Sequence, residues 1–570
     1  MAASVADDSL HRAISLLQKY SWIYDFQLTQ FFIERIWEKI PEKWCEDLFS
    51  LTTDELGEIP YGYLKNSWSP DLRTLVDETI ALSLPRQHSI AINPVTVAGD
   101  VEDKRLHVGM TAKKIHEVDN MAAFVDEFSR QGACNIVVDA GAGMGYLDKL
   151  LNSKYGHDVL GLESKHQFTH GAKIKLQKRG FDCDCGIQLE TLELNESREC
   201  FDSFRRTIHD FYRKRRRKNG GDSNGASGST GAARDLAARS TGAAHDLAAG
   251  STGAARDLAA GSTGAADARL QECNNTVGPL AENLCELNLE KTRQTQNNEE
   301  KLESNLKHFT ETSENVDNYE MNRCDLCDED SSRCRVNGNI VGLHCCADLT
   351  PTVLRLFSNC SSLRRLVCVS CCYHRMSRDP DSGSFNNFPL SRAVRDVLNR
   401  VPWKPSVYCF RLAAQETRVR WRNQTAADHE FHMKNVAYRG LIELYAKTSG
   451  SNGASIVKLR RRVARRSHFQ TFDGYLDAVF ERSSGPDWSN SRHELKRLHR
   501  QYEQYFKYIQ IITLLQVLLQ PVIESLIATD RRLLLAETPG ITADVIPIFD
   551  EMISPRNLAI VAYKSHPDSR

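Results

Sequence analysis

Ile136-Val137-Val138-Asp139-Ala140-Gly141-Ala142-Gly143-Met144-Gly145-Tyr146-Leu147 changes character twice along its length. Ile136 to Val138 is a short β-branched run, the pattern of a buried parallel strand. Gly141, Gly143 and Gly145 follow at alternate positions. Tyr146, Leu147, Leu150 and Leu151 then recur at helical spacing. The glycines therefore fill a strand-to-helix turn. Glycine there admits positive φ and lets the backbone approach a ligand closely. The helix start offers unpaired N–H groups and a partial positive charge to an anionic group.

A dinucleotide is usually met by G-x-G-x-x-G, and the last glycine of that pattern falls here on Tyr146. A P-loop ends in G-K-[ST], which is absent. In folds of this kind an acidic residue about 20 positions further on ends the next strand and binds ribose hydroxyls. Asp158-Val159-Leu160-Gly161-Leu162-Glu163 supplies Glu163. Strand, glycines, helix and acidic strand end in this order favour a ligand site over an ordinary glycine-rich turn. The hydrophobic–Asp–x–Gly–x–Gly–x–Gly form is similar to motif I of the class I S-adenosylmethionine (SAM) methyltransferases.

The 570 residues allow several domains, or one α/β domain with additions. With 41% hydrophobic and 26% charged residues, the chain has a globular composition. Its net charge of −1 gives no overall steering toward nucleic acid, so any such surface is local. The 17 cysteines are scattered, unlike a small secreted disulfide framework. Met1 to Leu10 is polar and acidic, with no apolar signal core. A cytoplasmic or nuclear setting is expected. The most apolar stretch, Tyr508 to Ile527, is interrupted by Gln510, Thr513, Gln516, Gln520 and Glu524. It reads as a helix packed in the core, and no membrane span is expected.

Leu10, Ala13, Ile14 and Leu17 have helical spacing, as do Ile33, Ile36, Trp37 and Ile40. Residues 1–108 read as a helical N-terminal region, and 109–200 as the first half of the α/β domain. Thr111 is a candidate N-cap for the helix that carries Lys113 and Lys114, which either reach toward the glycine turn or lie on a solvated face. Lys214-Arg215-Arg216-Arg217-Lys218 is a basic run, either a nuclear localisation signal, an RNA contact or, more commonly, a solvated charge run, and an eleven-residue repeat then starts at Ser229, Ser240, Ser251 and Ser262. Leucine is the only large apolar residue of the repeat, too little to offset the entropy of ordering. Residues 201–335 are read as a low-complexity, disordered insertion. Cys324-Asp325-Leu326-Cys327 gives one knuckle where structural zinc usually needs two, so no metal site is expected.

Residues 336–570 form the second half, with helical additions. Ile340 to Leu343 and Leu366 to Ser370 read as buried strands, and Thr350 and Pro351 as a helix start. Polar residues just past the carboxyl ends of parallel strands face the ligand crevice of a doubly wound sheet. That places His344, Asp348, Cys371, Cys372, Tyr373 and His374 on the edge that holds the glycine turn. Cys371 or Cys372 could attack a pyrimidine ring covalently, but both are read in preference as small buried hydrophobes. Val545 to Phe549 and Asn557 to Tyr563 read as two closing strands. Lys458, Arg460, Arg461, Arg462, Arg465 and Arg466 form a second basic cluster, either a solvated helix face or a contact for RNA phosphates.

Several separated blocks together resemble the methyltransferase-like protein 25 family. They are Phe31 to Trp37, Lys113 to Val118, Val138 to Gly145, Gly342 to Leu349, Ser370 to His374 and Ser554 to Leu558. The resemblance implies an α/β fold with a class I (Rossmann-like) SAM-dependent methyltransferase sheet. It implies SAM as cofactor, with Asp139, Gly141, Gly143 and Gly145 at its methionine end and Glu163 at its ribose. The family has Cys-Gly-Asp-Leu where this chain has Cys346-Ala347-Asp348-Leu349. The His344 and Cys371-to-His374 elements also resemble a tRNA 2′-O-methyltransferase family, which makes RNA the expected acceptor by analogy. Methyl transfer needs aligned donor and acceptor, and a proton acceptor when the nucleophile is a hydroxyl or amine. Neutral histidine can serve near pH 7. The candidate catalytic residues are therefore His344, with Asp348 orienting or contacting substrate, and His374. The rival reading is a degenerate methyltransferase fold that binds SAM or a partner without turnover. A nicotinamide oxidoreductase is disfavoured by Tyr146.

Overall fold

The computed structural model describes residues 2–87, 106–177, 186–219 and 336–565, without 416, 450–455, 459–462, 464 and 482–487. The repeats, Cys324, Cys327 and Arg460 to Arg462 lie outside the described residues. Met1–Arg215 and His308–Arg570 belong to one compact unit. The sheet and the candidate site lie within it.

The β-branched run folds as expected. β1 is Ile136–Ala140, buried at every position. It lies in a seven-stranded sheet with β2 (Val159–Glu163), β3 (Ile187–Thr191), β4 (Gly338–Cys346), β5 (Leu363–Cys371), β6 (Ile541–Pro547) and β7 (Leu558–Lys564). The order is β3-β2-β1-β4-β5-β7-β6. β1 to β5 are parallel, and β7 runs antiparallel to both β5 and β6. This is the sheet the resemblance implies. The chain leaves β1 in one direction for β2 and β3, and returns to its other side for β4. Ligands bind at such a switch point, beyond the carboxyl ends of the strands.

Two expectations need correction. The insertion does not begin at 201. Arg198–Asn219 is a helix whose Phe204, Ile208 and Phe211 are buried with Ile136, Val138 and Leu363 of the sheet. Its many arginines and lysines hide a one-sided apolar stripe at helical spacing. The helix after β4 begins at Leu349, with Asp348 as N-cap, so Pro351 sits in the first turn rather than at the first position.

The N-terminal helical region is not an appendage. Phe31, Phe32, Ile36 and Trp37 share one apolar core with Tyr438, Tyr475 and the helix Phe506–Ala536. Among the described residues, one helical stretch is long and apolar enough to cross a membrane, and that window is wholly buried inside the protein. Three of its polar side chains are bonded there. Gln516 donates to the Ile23 carbonyl (2.9 Å) and Gln520 to the Ala413 carbonyl (3.2 Å). Glu524 gathers Arg86 (2.6 Å), Tyr373 Oη (3.0 Å) and Arg556 (3.3 Å), joining the N-terminal region, the end of β5 and the start of β7.

Candidate active site

The glycine turn needs its glycines. Gly141, Gly143 and Gly145 have φ of 84°, 56° and 67°, all left-handed. The turn folds back so that Gly143 N donates to Glu163 Oε2 (3.1 Å), and Lys165 N donates to Oε1 (3.1 Å). These contacts fix the Glu163 carboxylate beside the turn. Gly161 in β2 leaves room beneath it, since a Cβ there would lie 2.4 Å from Asp148 Oδ2. Asp139 and Asp148 are both buried at the end of β1. Burial lifts Asp139 to about 6 against the opposing Asp148 hydrogen and the Lys114 charge. Asp148 is pushed up by burial and by the charge of Asp139. Asp139 Oδ1 has no hydrogen-bond partner among the described residues.

β4 carries a local irregularity. Leu343 pairs with Val369 and Cys345 with Ser370, so His344 is the extra residue of a bulge. Its φ of 66° is left-handed. A bulge of this kind re-aims a side chain at a strand end. Here it turns the imidazole into the cavity, where Nε2 meets Glu117 Oε2 at 2.9 Å. Glu117 comes from the helix Ala112–Gln131 and also accepts from Ser554 Oγ (2.7 Å). Burial alone would raise its carboxyl, but His344, Ser554 and Lys113 bring it down to about 2. An ionised Glu117 only accepts, so the hydrogen of this contact lies on His344 Nε2. Sequence reasoning misses Glu117 and Ser554 as site residues. Both lie inside the resembling blocks, which is the available signal.

Loops from the carboxyl ends of all five parallel strands enclose a cavity of about 670 Å³. Gly141, Glu163, His344, Cys346 and Asp348 line it, with Glu193, Glu196, Arg355 and Asn387. A volume of this order suits a small-molecule ligand. Asp348 accepts from Ser377 N (2.8 Å) through Oδ2 and from Asn387 Nδ2 (2.8 Å) through Oδ1. It thus holds the loop after β5 against the start of the helix Leu349–Asn359. Arg355 is paired with Glu196 and donates to Asn387 Oδ1 (2.8 Å). His374, in the turn Tyr373–Arg375, is not part of the cavity lining. The structure brings together five of the expected residues around the glycine turn, and His344 and Asp348 across from them.

A doubly wound sheet with one antiparallel strand, a glycine turn facing an acidic strand end, and a cavity at the switch point make a ligand-binding site of the kind a class I methyltransferase uses. Residues 113–217 and 270–379 match the family described as Methyltransferase domain. The chain is 24% identical over 476 residues to Probable methyltransferase-like protein 25 of Homo sapiens, covering 80% of this chain and 75% of that one. The protein of the same name from Mus musculus is 22% identical over 484 residues, covering 80% and 76%. Part of the chain thus matches a methyltransferase domain, and most of it is similar to these two proteins. No solved structure matches it.

Proposed function

We propose that this chain is a SAM-dependent methyltransferase that acts on RNA. One observation carries the reading: the glycine turn, Glu163 and the Glu117–His344 pair meet at a single cavity at the switch point of the sheet. The donor set fits SAM. Asp139 Oδ1 is a buried acceptor without a partner among the described residues, suited to an ammonium group. Gly141 has no side chain where the backbone borders the cavity. Asp139, Gly141, Gly143 and Gly145 would hold the amino-acid end and Glu163 the ribose. Bound SAM supplies a methyl group activated on a sulfonium. Glu163, Glu193, Glu196 and Asp348 outnumber Arg355 on the cavity wall, which favours a cation there.

His344 is the proton acceptor in this reading. Glu117, itself held by Ser554, orients the imidazole through Nε2, and Nδ1 of the neutral ring would take a proton from a hydroxyl or amine. Asp348 acts at one remove, as a positioning residue for the loop after β5. An acidic wall repels phosphate, so an RNA acceptor would insert a single nucleoside and keep its backbone outside.

The test is transfer of labelled methyl from SAM into separated RNA and protein fractions. Label is expected in RNA. His344→Ala is expected to lower the rate by about 100-fold or more, the usual worth of a positioned base. Label in the protein fraction alone would overturn the RNA assignment. Absence of label from both, with SAM bound, would overturn turnover.

A further inference from the structure

Cys346 ends β4, Cys371 ends β5 and Cys372 follows it. Their three sulfurs lie within 4.8 Å of one another. Cys346 Sγ is 3.0 Å from Cys371 Sγ. We propose that these three thiolates bind one zinc ion whose fourth coordination position opens into the cavity.

The backbone builds the cluster. Cys346 and Cys371 are paired across the parallel strands. Side chains alternate along a strand, so Cys345 turns inward, with its Sγ 3.6 Å from the Ala140 carbonyl, while Cys346 turns out to line the cavity. Cys372 has a φ of 49°, and Ala347, just after Cys346, has a φ of 53°. Left-handed backbone at two residues that are not glycine is costly, and such strain gathers at functional sites. A tetrahedral zinc with bonds of about 2.3 Å separates its sulfurs by roughly 3.8 Å. The three sulfurs already span that range, so small side-chain rotations would close them on an ion.

The donor chemistry selects the metal. Thiolates suit zinc and exclude magnesium or calcium as the resident ion. Neighbouring donors are otherwise occupied: both Asp348 oxygens hold the loop after β5, and His344 Nε2 is held by Glu117. Three protein ligands with one open position is the arrangement of zinc sites that take water or substrate. Zinc binding here does not depend on the SAM reading, and its test does not use activity.

The full chain would be purified in reducing buffer without chelator and its metal content measured. About one zinc per chain is expected. Zinc-edge X-ray absorption of the wild type is expected to show three sulfur neighbours at about 2.3 Å. Cys346→Ser and Cys371→Ser are expected to lose the ion, and the double variant Cys324→Ser, Cys327→Ser to keep it. Cadmium added to metal-free protein is expected to give a saturable thiolate-to-metal ultraviolet band. Zinc retained in Cys346→Ser, no cadmium band in the wild type, or a Cys346–Cys371 disulfide in place of the metal would overturn the proposal. The X-ray absorption result stands even where a variant fails to fold.

Discussion

Ala347 holds a φ of 53°, in the left-handed region. An L-residue in this conformation brings Cβ against the following carbonyl. Ala347→Gly is expected to raise stability by about 0.5–1 kcal/mol, the relief of strain exceeding the added freedom of the unfolded chain. A lower denaturation midpoint would contradict the strain. Glu117 gives a pH-dependent counterpart. Its folded carboxyl titrates at about 2, whereas an unfolded glutamate titrates near 4.3. The depressed value adds stability that is complete above the unfolded pKa and disappears as the pH falls toward 2. Glu117→Gln is expected to cost about 1–3 kcal/mol at neutral pH. Its deficit against wild type should narrow in denaturation curves taken from about pH 5 downward. A deficit that is constant with pH would show that shape, not charge, is lost.

The helix Arg198–Asn219 belongs to the sheet because Phe204, Ile208 and Phe211 are buried on it. Phe204→Ala is therefore expected to cost about 3–5 kcal/mol in urea unfolding. A near-neutral result would return this segment to the insertion. The difference in legibility among elements has a physical source. β1 is buried on both faces, so its run is continuously apolar and legible directly. β3 is an edge strand alternating Ile187, Gln188, Leu189 and Glu190, a signal too short to separate from a loop. The helix Arg198–Asn219 shows its apolar stripe only when arginine and lysine are read as the opposite face.

At the scale of the molecule, the parallel sheet and its closing strand pair follow from where the strands and crossovers fall in the chain. The site is legible where its parts are close in sequence. Gly143 and Glu163 are 20 positions apart and hydrogen-bonded. It is not legible where folding joins distant segments. Ser554 and Glu117 are 437 positions apart, yet together they orient His344. The same holds for the Arg86–Glu524–Arg556 junction, which no local pattern announces. His374 lies one turn beyond β5, and strand-end position alone does not separate a cavity residue from its neighbour.

The most direct measurement is thermal unfolding of the full chain with and without SAM, beside Gly143→Arg. A Cβ at Gly143 would meet nothing nearer than the Gly141 carbonyl at 3.9 Å, but the φ of 56° strains any side chain there, so the variant counts only where its unfolding without SAM stays cooperative. SAM at about 100 times its dissociation constant is expected to add about 2.7 kcal/mol to the folded wild type. The shift should saturate, and it should be absent in Gly143→Arg. A well-folded wild type that SAM leaves unshifted would contradict a cofactor site at this turn.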